Sequence, residues 1–378
     1  MALEKIVAIS NEYGSNPDYV LAGGGNTSYK DEEFLYIKGS GTTLATITAD
    51  GFVKMNRAKL SAMFEKQYSE NSAEREMQVL EDMMDAREAS ELAKRPSVET
   101  LLHNMINYTY IVHTHPSMLN GMACGVNGKE AAKELFGQDM IWIDIIEPGY
   151  ILAAKLKEEM DNYKATYGKD ADLILLQNHG IFLAANTIEE IHEKTAYVFG
   201  KIGEKVTRKP DFAEVSYDAQ IVEKKAEEIK TVLQAAHGET NSHVSFCTNK
   251  EVLRFLADEA SFYPISSAYS PDHIVYCKPY ALFVKEGEDI QTKVTEYQEK
   301  NGFAPKIVAI QNVGYFAWGT NEKNANISKE VFLDACKIGV YSQSFGGPLF
   351  MTPYMIDFIC TWEVEAYRSK VSQESEKK

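Results

Sequence analysis

The chain has 378 residues, of which 44% are hydrophobic and 25% charged, which is typical of a globular protein of two domains or one large one. Its net charge of −16 disfavours general nucleic-acid binding, because phosphate backbones bind clustered lysine and arginine, although a local site could still bind a small anion. No apolar run approaches the roughly 18 residues of a membrane span. The start lacks a signal-peptide pattern, and the five scattered cysteines fit reduced thiols, so we expect a cytoplasmic protein without a membrane partner.

The first predicted elements are separated by two turns of small residues. A helix over residues 1–20 precedes a glycine turn that ends in Asn26, and a strand Phe34–Lys38 precedes a turn at 39–43. Glycine lets the backbone approach a ligand closely, so both turns could bind an anion or could be plain connections. Helices are predicted over 50–68 and 73–93, where helix-favouring residues are frequent.

Two histidines follow the next predicted helix. That helix opens at Pro96, with Glu99 in its first turn, and leads into a strand that carries His113 and His115. Alternate residues of a strand share one face, so these two imidazoles can converge on a divalent transition metal. Glu99 could face this metal or could simply compensate the helix dipole. His103, one turn after Glu99, is interpreted as a packing residue or a support for the site.

A third histidine lies at the end of a later strand. His179 follows the apolar strand 172–177, at a tight turn before strand 181–185. Thr187 and Glu190 predict a capping box that opens a helix to about residue 206. The other predicted elements are helices over 117–124, 151–167 and 213–236, a helix capped by Thr248, a helix from Asp289, two final helices, and strands over 140–146, 272–277, 281–284 and 306–311.

The chain contains one internal repeat. Residues 173–182 (LILLQNHGIF) align with residues 307–316 (IVAIQNVGYF), and His179 aligns with Val313. A chance match over ten residues is one explanation. We favour a degenerate duplication, in which the second copy has no metal ligands. The first unit is predicted to close near residue 210, and the polar residues 371–378 are predicted to be disordered.

Three histidine ligands with one open position describe a catalytic metal site. The ordered motifs GGGNTSYK, KGSGTT, RPSVETLLH, IVHTHPS and LLQNHGIFLAANTIEE resemble the class II aldolase/adducin family over roughly residues 15–205. The second half is similar, more narrowly, to the aldolase portion of bifunctional rhamnulose-1-phosphate aldolase/dehydrogenase proteins.

This resemblance implies a three-layer α/β/α sandwich with a mostly antiparallel central sheet. It implies a catalytic domain over 1–210 and a smaller α/β domain over 211–378. It further implies Zn2+ or another divalent transition metal on His113, His115 and His179, with Glu99 as the acid/base, in a homo-oligomer. The residues implied to bind the substrate or its phosphate are Gly25, Asn26, Thr27, Lys38, Ser40, Gly41 and Ser97.

The expected function is retro-aldol cleavage of a ketose 1-phosphate, such as rhamnulose 1-phosphate, to dihydroxyacetone phosphate and an aldehyde. One departure from the family concerns Val98, which stands where phosphate-binding members carry a second serine. One hydroxyl contact to phosphate is thereby lost, and Lys38 could compensate. The alternatives are a sugar-phosphate epimerase, a sugar-acid aldolase or decarboxylase on the same metal site, and a non-catalytic, adducin-like binding module.

Overall fold

The computed structural model describes residues 2–362, which divide into two compact units. The first unit comprises residues 2–123, 128–205 and 362, and the second comprises residues 124–127 and 206–361. None of the described helices is both long and apolar enough to cross a bilayer.

The first unit is built on a seven-stranded sheet in the order β3-β2-β1-β4-β7-β6-β5. Its strands are β1 (Asn26–Lys30), β2 (Phe34–Lys38), β3 (Phe52–Asn56), β4 (Tyr110–Thr114), β5 (Ile141–Ile143), β6 (Leu173–Leu176) and β7 (Gly180–Ala185). Neighbouring strands are antiparallel except β5 and β6, which are parallel. The predicted, mostly antiparallel sheet is therefore confirmed, with one parallel pairing that makes it mixed.

Helices cover both faces of this sheet. They are α1 (Ala2–Gly14), α2 (Arg57–Ala62), α3 (Ser72–Asp85), α4 (Thr100–Met105), α5 (Ser117–Ala123), α6 (Gly128–Phe136), α7 (Tyr150–Tyr167) and α8 (Ile188–Lys205). Helices α2, α3, α4 and α7 pack on the face that carries Ile111 of β4 and Phe182 of β7. Helices α1, α5 and α8 contact β4 or its neighbours β1 and β7, whose alternate residues face the other way. The predicted three-layer arrangement is thus confirmed.

Residues 50–68 do not form the single helix that was predicted. Phe52–Asn56 pairs with β2 as strand β3, and α2 begins only at Arg57. The side chain of Asn56 marks the change, because it accepts a hydrogen bond from the backbone N–H of Lys59 as an N-cap. The predicted helix over 73–93 also ends early, at Asp85.

The second unit has a four-stranded sheet in the order β8-β11-β10-β9. Its strands are β8 (His243–Cys247), β9 (Leu282–Val284), β10 (Ile307–Ile310) and β11 (Gly314–Gly319). Its helices are α9 (Ala219–His237), α10 (Lys250–Phe255), α11 (Glu259–Phe262), α12 (Pro271–Cys277), α13 (Ile290–Asn301), α14 (Glu322–Ser342) and α15 (Pro353–Thr361). Residues of α9 and α13 share one apolar core with this sheet.

Two predictions for the second unit are wrong in detail, and two strands were missed. Residues 272–277 form a helix, not a strand, since Pro271 at the first helical position favours a helix start. Helix α10 is capped by Asn249, whose side chain accepts from the N–H of Val252, and not by Thr248. Strands β8 and β11 were not predicted as strands. The predicted disorder over 371–378 lies outside the described residues.

The two units repeat one strand pattern. The order β8-β11-β10-β9 matches β4-β7-β6-β5 in sequence and in direction, with two antiparallel pairings followed by a parallel one. The matching turns also share their contacts. Gln177 and Gln311 each donate a backbone hydrogen bond to the neighbouring parallel strand, and Asn178 and Asn312 both adopt left-handed φ angles of 55° and 58°. Asparagine tolerates this conformation, which explains why it recurs in both copies.

Candidate metal centre and active site

Three imidazoles converge at one end of the interior strands of the first sheet. His113 lies near the end of β4, His115 follows it, and His179 lies in the turn between β6 and β7. The antiparallel pairing of β4 with β7 places these segments side by side. One ring nitrogen from each histidine can be chosen so that all three lie within 4.8 Å of one another. Nitrogens that each lie about 2 Å from one metal ion are separated by no more than about twice that distance. A separation within 4.8 Å is therefore compatible with a shared divalent ion.

The ring of His113 is fixed by its neighbours. Its Nδ1 lies 2.9 Å from the carbonyl oxygen of Ile181, to which it donates, and its ring stacks on Phe182 at 4.1 Å between centroids. A proton on Nδ1 leaves the lone pair on Nε2, which lies 2.9 Å from Nε2 of His115. Burial lowers the pKa of His113 well below its ordinary value, so the ring is neutral and can bind a cation.

A carboxylate completes the cluster. Oε1 of Glu99 lies 3.4 Å from Nε2 of His113 and 3.5 Å from Nε2 of His179. This oxygen is buried and accepts no hydrogen bond from the described residues. A buried carboxylate oxygen that faces only imidazole nitrogens is costly unless a cation satisfies it. The three imidazoles therefore fit a divalent transition metal, and Oε1 of Glu99 lies beside the place where that cation would bind.

Glu99 is held as a carboxylate. Burial by itself would raise its pKa, and the hydrogen bond from the side chain of Asn26 to Oε2 acts in the opposite direction because it stabilises the carboxylate. The backbone places it for this role, because Glu99 immediately precedes α4 as its N-cap residue. The prediction that Glu99 occupies the first turn of a helix opened at Pro96 is corrected, since α4 begins at Thr100.

Three of the residues predicted to bind phosphate lie in two adjacent loops beside Glu99, and a fourth, Lys38, ends the strand before one of these loops. The N–H of Ser40 donates to the carbonyl of Arg95 at 2.8 Å, which joins the loop of Ser40 and Gly41 to the loop of Ser97. Ser97 Oγ accepts from the N–H of Glu99 at 3.3 Å. Lys38 is buried, and its Nζ donates to the carbonyl of Gly23 at 3.3 Å, next to the glycine turn.

Gly25 and Asn26 stand at the start of β1, beside the metal cluster. Gly25 has a φ of 63°, and a Cβ there would lie 2.8 Å from the carbonyl oxygen of His113. Thr27, the next residue, is placed differently. Its hydroxyl lies 2.6 Å from Oγ of Ser10 in α1, on the opposite face of the sheet, and is fully buried. The structure therefore does not bring the Thr27 side chain to the cluster.

Comparison with known proteins identifies the family. Residues 4–199 match the model described as Class II Aldolase and Adducin N-terminal domain, which is slightly more than half of the chain. The chain belongs to the class II aldolase/adducin family.

Individual relatives are distant. The chain is 23% identical to the uncharacterized oxidoreductase YuxG of Bacillus subtilis (strain 168), over 97% of this chain and 58% of that protein, so it spans little more than half of the relative. Among solved structures, it is similar to the N-terminal class II aldolase domain of a Thermoplasma acidophilum protein, with 23% identity, a TM-score of 0.44, and coverage of 53% and 92% of the two chains. It is also similar to L-fuculose-1-phosphate aldolase from Thermus thermophilus, with 16% identity, a TM-score of 0.34, and coverage of 54% and 92%.

In this member of the class II aldolase/adducin family, Val98 lines an open pocket. Its neighbours there include the apolar residues Val79, Met83 and Leu101 and the polar residues Ser40, Glu76 and Arg95.

Sequence reasoning did not find the buried lysine that supports the Glu99 helix. Lys30 is 5% exposed, and its Nζ donates to the carbonyls of His103 and Ile106 at the C-terminal end of α4. A hydrogen-bond donor at this position satisfies carbonyls that the helix leaves unpaired. Burial lowers the pKa of Lys30 well below its ordinary value. The only sequence signal is a single basic side chain shortly after the glycine turn.

Gly180 is predicted to be essential for the shape of the cluster. A Cβ at this position would lie 2.4 Å from the carbonyl oxygen of Thr114 and 2.8 Å from Cδ2 of His115. Gly180→Ala should therefore displace His115 and lower metal affinity by about 10-fold or more, as measured by competition with a chelator. Gly200→Ala in α8 is the control, because a Cβ there meets nothing within 4 Å. Equal metal affinity of the two variants would contradict the prediction.

Proposed function

We propose that this chain is a metal-dependent aldehyde-lyase, which cleaves a ketose 1-phosphate to dihydroxyacetone phosphate and an aldehyde. The observation that carries the proposal is the convergence of Glu99 on three imidazoles, in a chain of the class II aldolase/adducin family. A non-catalytic binding module would have no use for a buried, ionised carboxylate at this cluster. A buried charge is costly to maintain unless a charged partner stabilises it.

The proposed metal is Zn2+, held by His113, His115 and His179. Three imidazole ligands with an open fourth position are typical of catalytic zinc. When bound, the ion polarises the ketose carbonyl and stabilises the negative charge that C–C cleavage leaves on the oxygens next to it.

Glu99 supplies the proton transfer. Retro-aldol cleavage removes a proton from the substrate hydroxyl and delivers one to the carbon released from the broken bond. Glu99 is ionised, and its Oε1 faces the imidazoles, so it can accept a proton there and return it to that carbon. No lysine Schiff base is required in this scheme.

The phosphate is proposed to bind at the joined loops of Ser40, Gly41 and Ser97, with Lys38 and Gly25 at the adjoining turn. Backbone N–H groups, hydroxyls and one buried ammonium suit a phosphate. Rhamnulose 1-phosphate is the first substrate to test, because the sequence of the second half resembles the aldolase portion of bifunctional rhamnulose-1-phosphate aldolase/dehydrogenase proteins.

The experiment is an assay of the Zn2+-loaded protein with a panel of ketose 1-phosphates and the matching unphosphorylated ketoses. Release of dihydroxyacetone phosphate and an aldehyde in equal amounts supports the proposal. A product with all carbons retained would indicate an epimerase, and release of CO2 from a sugar acid would indicate a decarboxylase. Failure of the metal-loaded protein to turn over any of these compounds would overturn an enzymatic role and revive the binding-module alternative.

We also infer that the second unit is a degenerate copy of the metal-binding half of the first. The aligned turns and shared strand order support this inference. Phe246 of β8 pairs with Phe316 of β11, and His113 of β4 pairs with Phe182 of β7. Phe316 and Phe182 are equivalent in the sequence repeat, so Phe246 corresponds to His113. Thr248 then corresponds to His115, and Val313 to His179. None of the three replacements binds zinc, so the domain over 211–378 is proposed to have a structural role.

A further inference from the structure

The side chain of Asn26 is fully committed inside the protein. It is 5% exposed, and its Nδ2 donates both to Oε2 of Glu99 and, at 3.3 Å, to Oγ of Ser97. Its Oδ1 contacts Nε2 of His103. Both amide protons and the amide oxygen therefore have partners before any substrate arrives, which leaves this side chain little capacity to bind a phosphate.

The contacts fix the direction of each hydrogen bond. His103 is fully buried, and burial lowers its pKa to about 3, so the ring is neutral with one proton. An amide oxygen only accepts, so that proton is on Nε2, and Nδ1 accepts from the hydroxyl of Ser28 at 2.7 Å. The reverse orientation of Asn26 would place its oxygen against the carboxylate of Glu99, which is unfavourable. The chain of donors thus runs from Ser28 through His103 and Asn26 to Glu99.

This chain controls the orientation of the carboxylate. The hydrogen bond from Asn26 holds Oε2, so Oε1 is the oxygen that faces His113 and His179 at 3.4 Å and 3.5 Å. His103 lies on α4, one turn beyond Glu99, which is the N-cap residue of that helix. The carbonyls at the end of that helix are held in turn by Lys30.

We propose that His103 and Asn26 are positioning residues, which orient Glu99 for proton transfer, and that Asn26 is not a side-chain ligand of the substrate phosphate. The expected effect on kcat rests on the proposed function, whereas the hydrogen-bond network of His103, Asn26 and Glu99 does not. It replaces the sequence-based assignment of Asn26 to phosphate binding, and it gives His103 a role in the reaction through Asn26.

The kinetic test separates kcat from KM. Asn26→Ala and His103→Leu are expected to lower kcat about 10–100-fold, with KM changed by less than about threefold, because they disturb the orientation of Glu99 and not substrate binding. His103→Gln is the conservative variant, since its amide can donate where Nε2–H does, and it should recover most of the loss. Ser40→Ala is the comparison variant and should raise KM. A raised KM in Asn26→Ala with unchanged kcat, or equal losses in His103→Gln and His103→Leu, would overturn the proposal.

A second measurement does not depend on activity. Long-range 1H–15N correlation spectra of the full-length protein with 15N-labelled histidine report the tautomer of each of its eight histidines. His103, assigned by its loss in His103→Gln, should be neutral and protonated on Nε2 at neutral pH, and Ser28→Ala should shift its Nδ1 resonance. Protonation on Nδ1 would overturn the chain of donors. If the spectra agree but the wild type cleaves no ketose phosphate, the proposed function fails while the arrangement stands.

Discussion

Glu99→Gln is expected to lower kcat by at least about 100-fold while the protein keeps its metal. Glutamine has the size of glutamate and can still accept a hydrogen bond from Asn26, but it cannot accept and return a proton. The three imidazoles that hold the ion are unchanged by this substitution. The measurement combines steady-state release of dihydroxyacetone phosphate with elemental analysis of the same sample.

Glu147→Gln is the matched control for this prediction. Glu147 is a partly buried carboxylate of the same unit, which pairs with Nη2 of Arg75 at 2.8 Å and lies outside the metal cluster. Its replacement should leave kcat within about twofold of the wild type, because it touches no reacting group. Activity of Glu99→Gln within a few fold of the wild type would exclude Glu99 as the group that moves the proton.

His179→Ala is expected to abolish both metal binding and cleavage while the fold is kept. The substitution leaves two imidazoles, and a catalytic zinc site requires three protein ligands. His179 lies in the turn between β6 and β7, and its ring contacts the other two imidazoles, so neither strand pairing nor the apolar core depends on this side chain. Metal content after dialysis should fall from about one equivalent to near zero, and far-ultraviolet circular dichroism should not change.

His192→Ala serves as the control for loss of a histidine. His192 lies on α8 with a side chain that is 41% exposed, beside Glu12 and Tyr13 and away from the cluster. This variant should retain wild-type metal content and activity. A His179→Ala protein that still carried one equivalent of metal would show that the ion binds elsewhere.

The histidine cluster could be predicted from the sequence because its pattern is local. Two histidines at alternate positions of a strand share a face whatever the rest of the fold does. His179 was placed correctly at a strand-end turn, since an apolar run followed by Gln-Asn-His-Gly ends a strand clearly. The family resemblance then supplied the sandwich and the mostly antiparallel sheet, and both are confirmed.

Elements whose local signal is ambiguous were mispredicted. Residues 52–56 combine helix-favouring Lys and Met with strand-favouring Phe and Val, and pairing with β2 decides the outcome. Residues 272–277 are rich in β-branched and aromatic side chains, yet they form α12 behind Pro271. A tertiary contact overrides weak propensities in the first case, and the helix start at Pro271 decides the second.

The support of Glu99 could not be predicted for a different reason. Asn26 and His103 are 77 positions apart, and their contact depends on how β1 pairs with β4. In that register Asn26 stands opposite His113, which brings the start of β1 to the metal cluster. The sequence contains both residues but not this register, so it predicted a packing or supporting role for His103 and a phosphate contact for Asn26.

The most direct test is a titration of metal-free protein with Zn2+, in which bound metal and release of dihydroxyacetone phosphate are followed together. We predict that both rise in parallel and saturate at about one equivalent, because one ion on three histidines generates the activity. Cleavage by metal-free protein, or stoichiometric binding of Zn2+ that brings no cleavage of any ketose 1-phosphate, would contradict the proposed metal-dependent lyase.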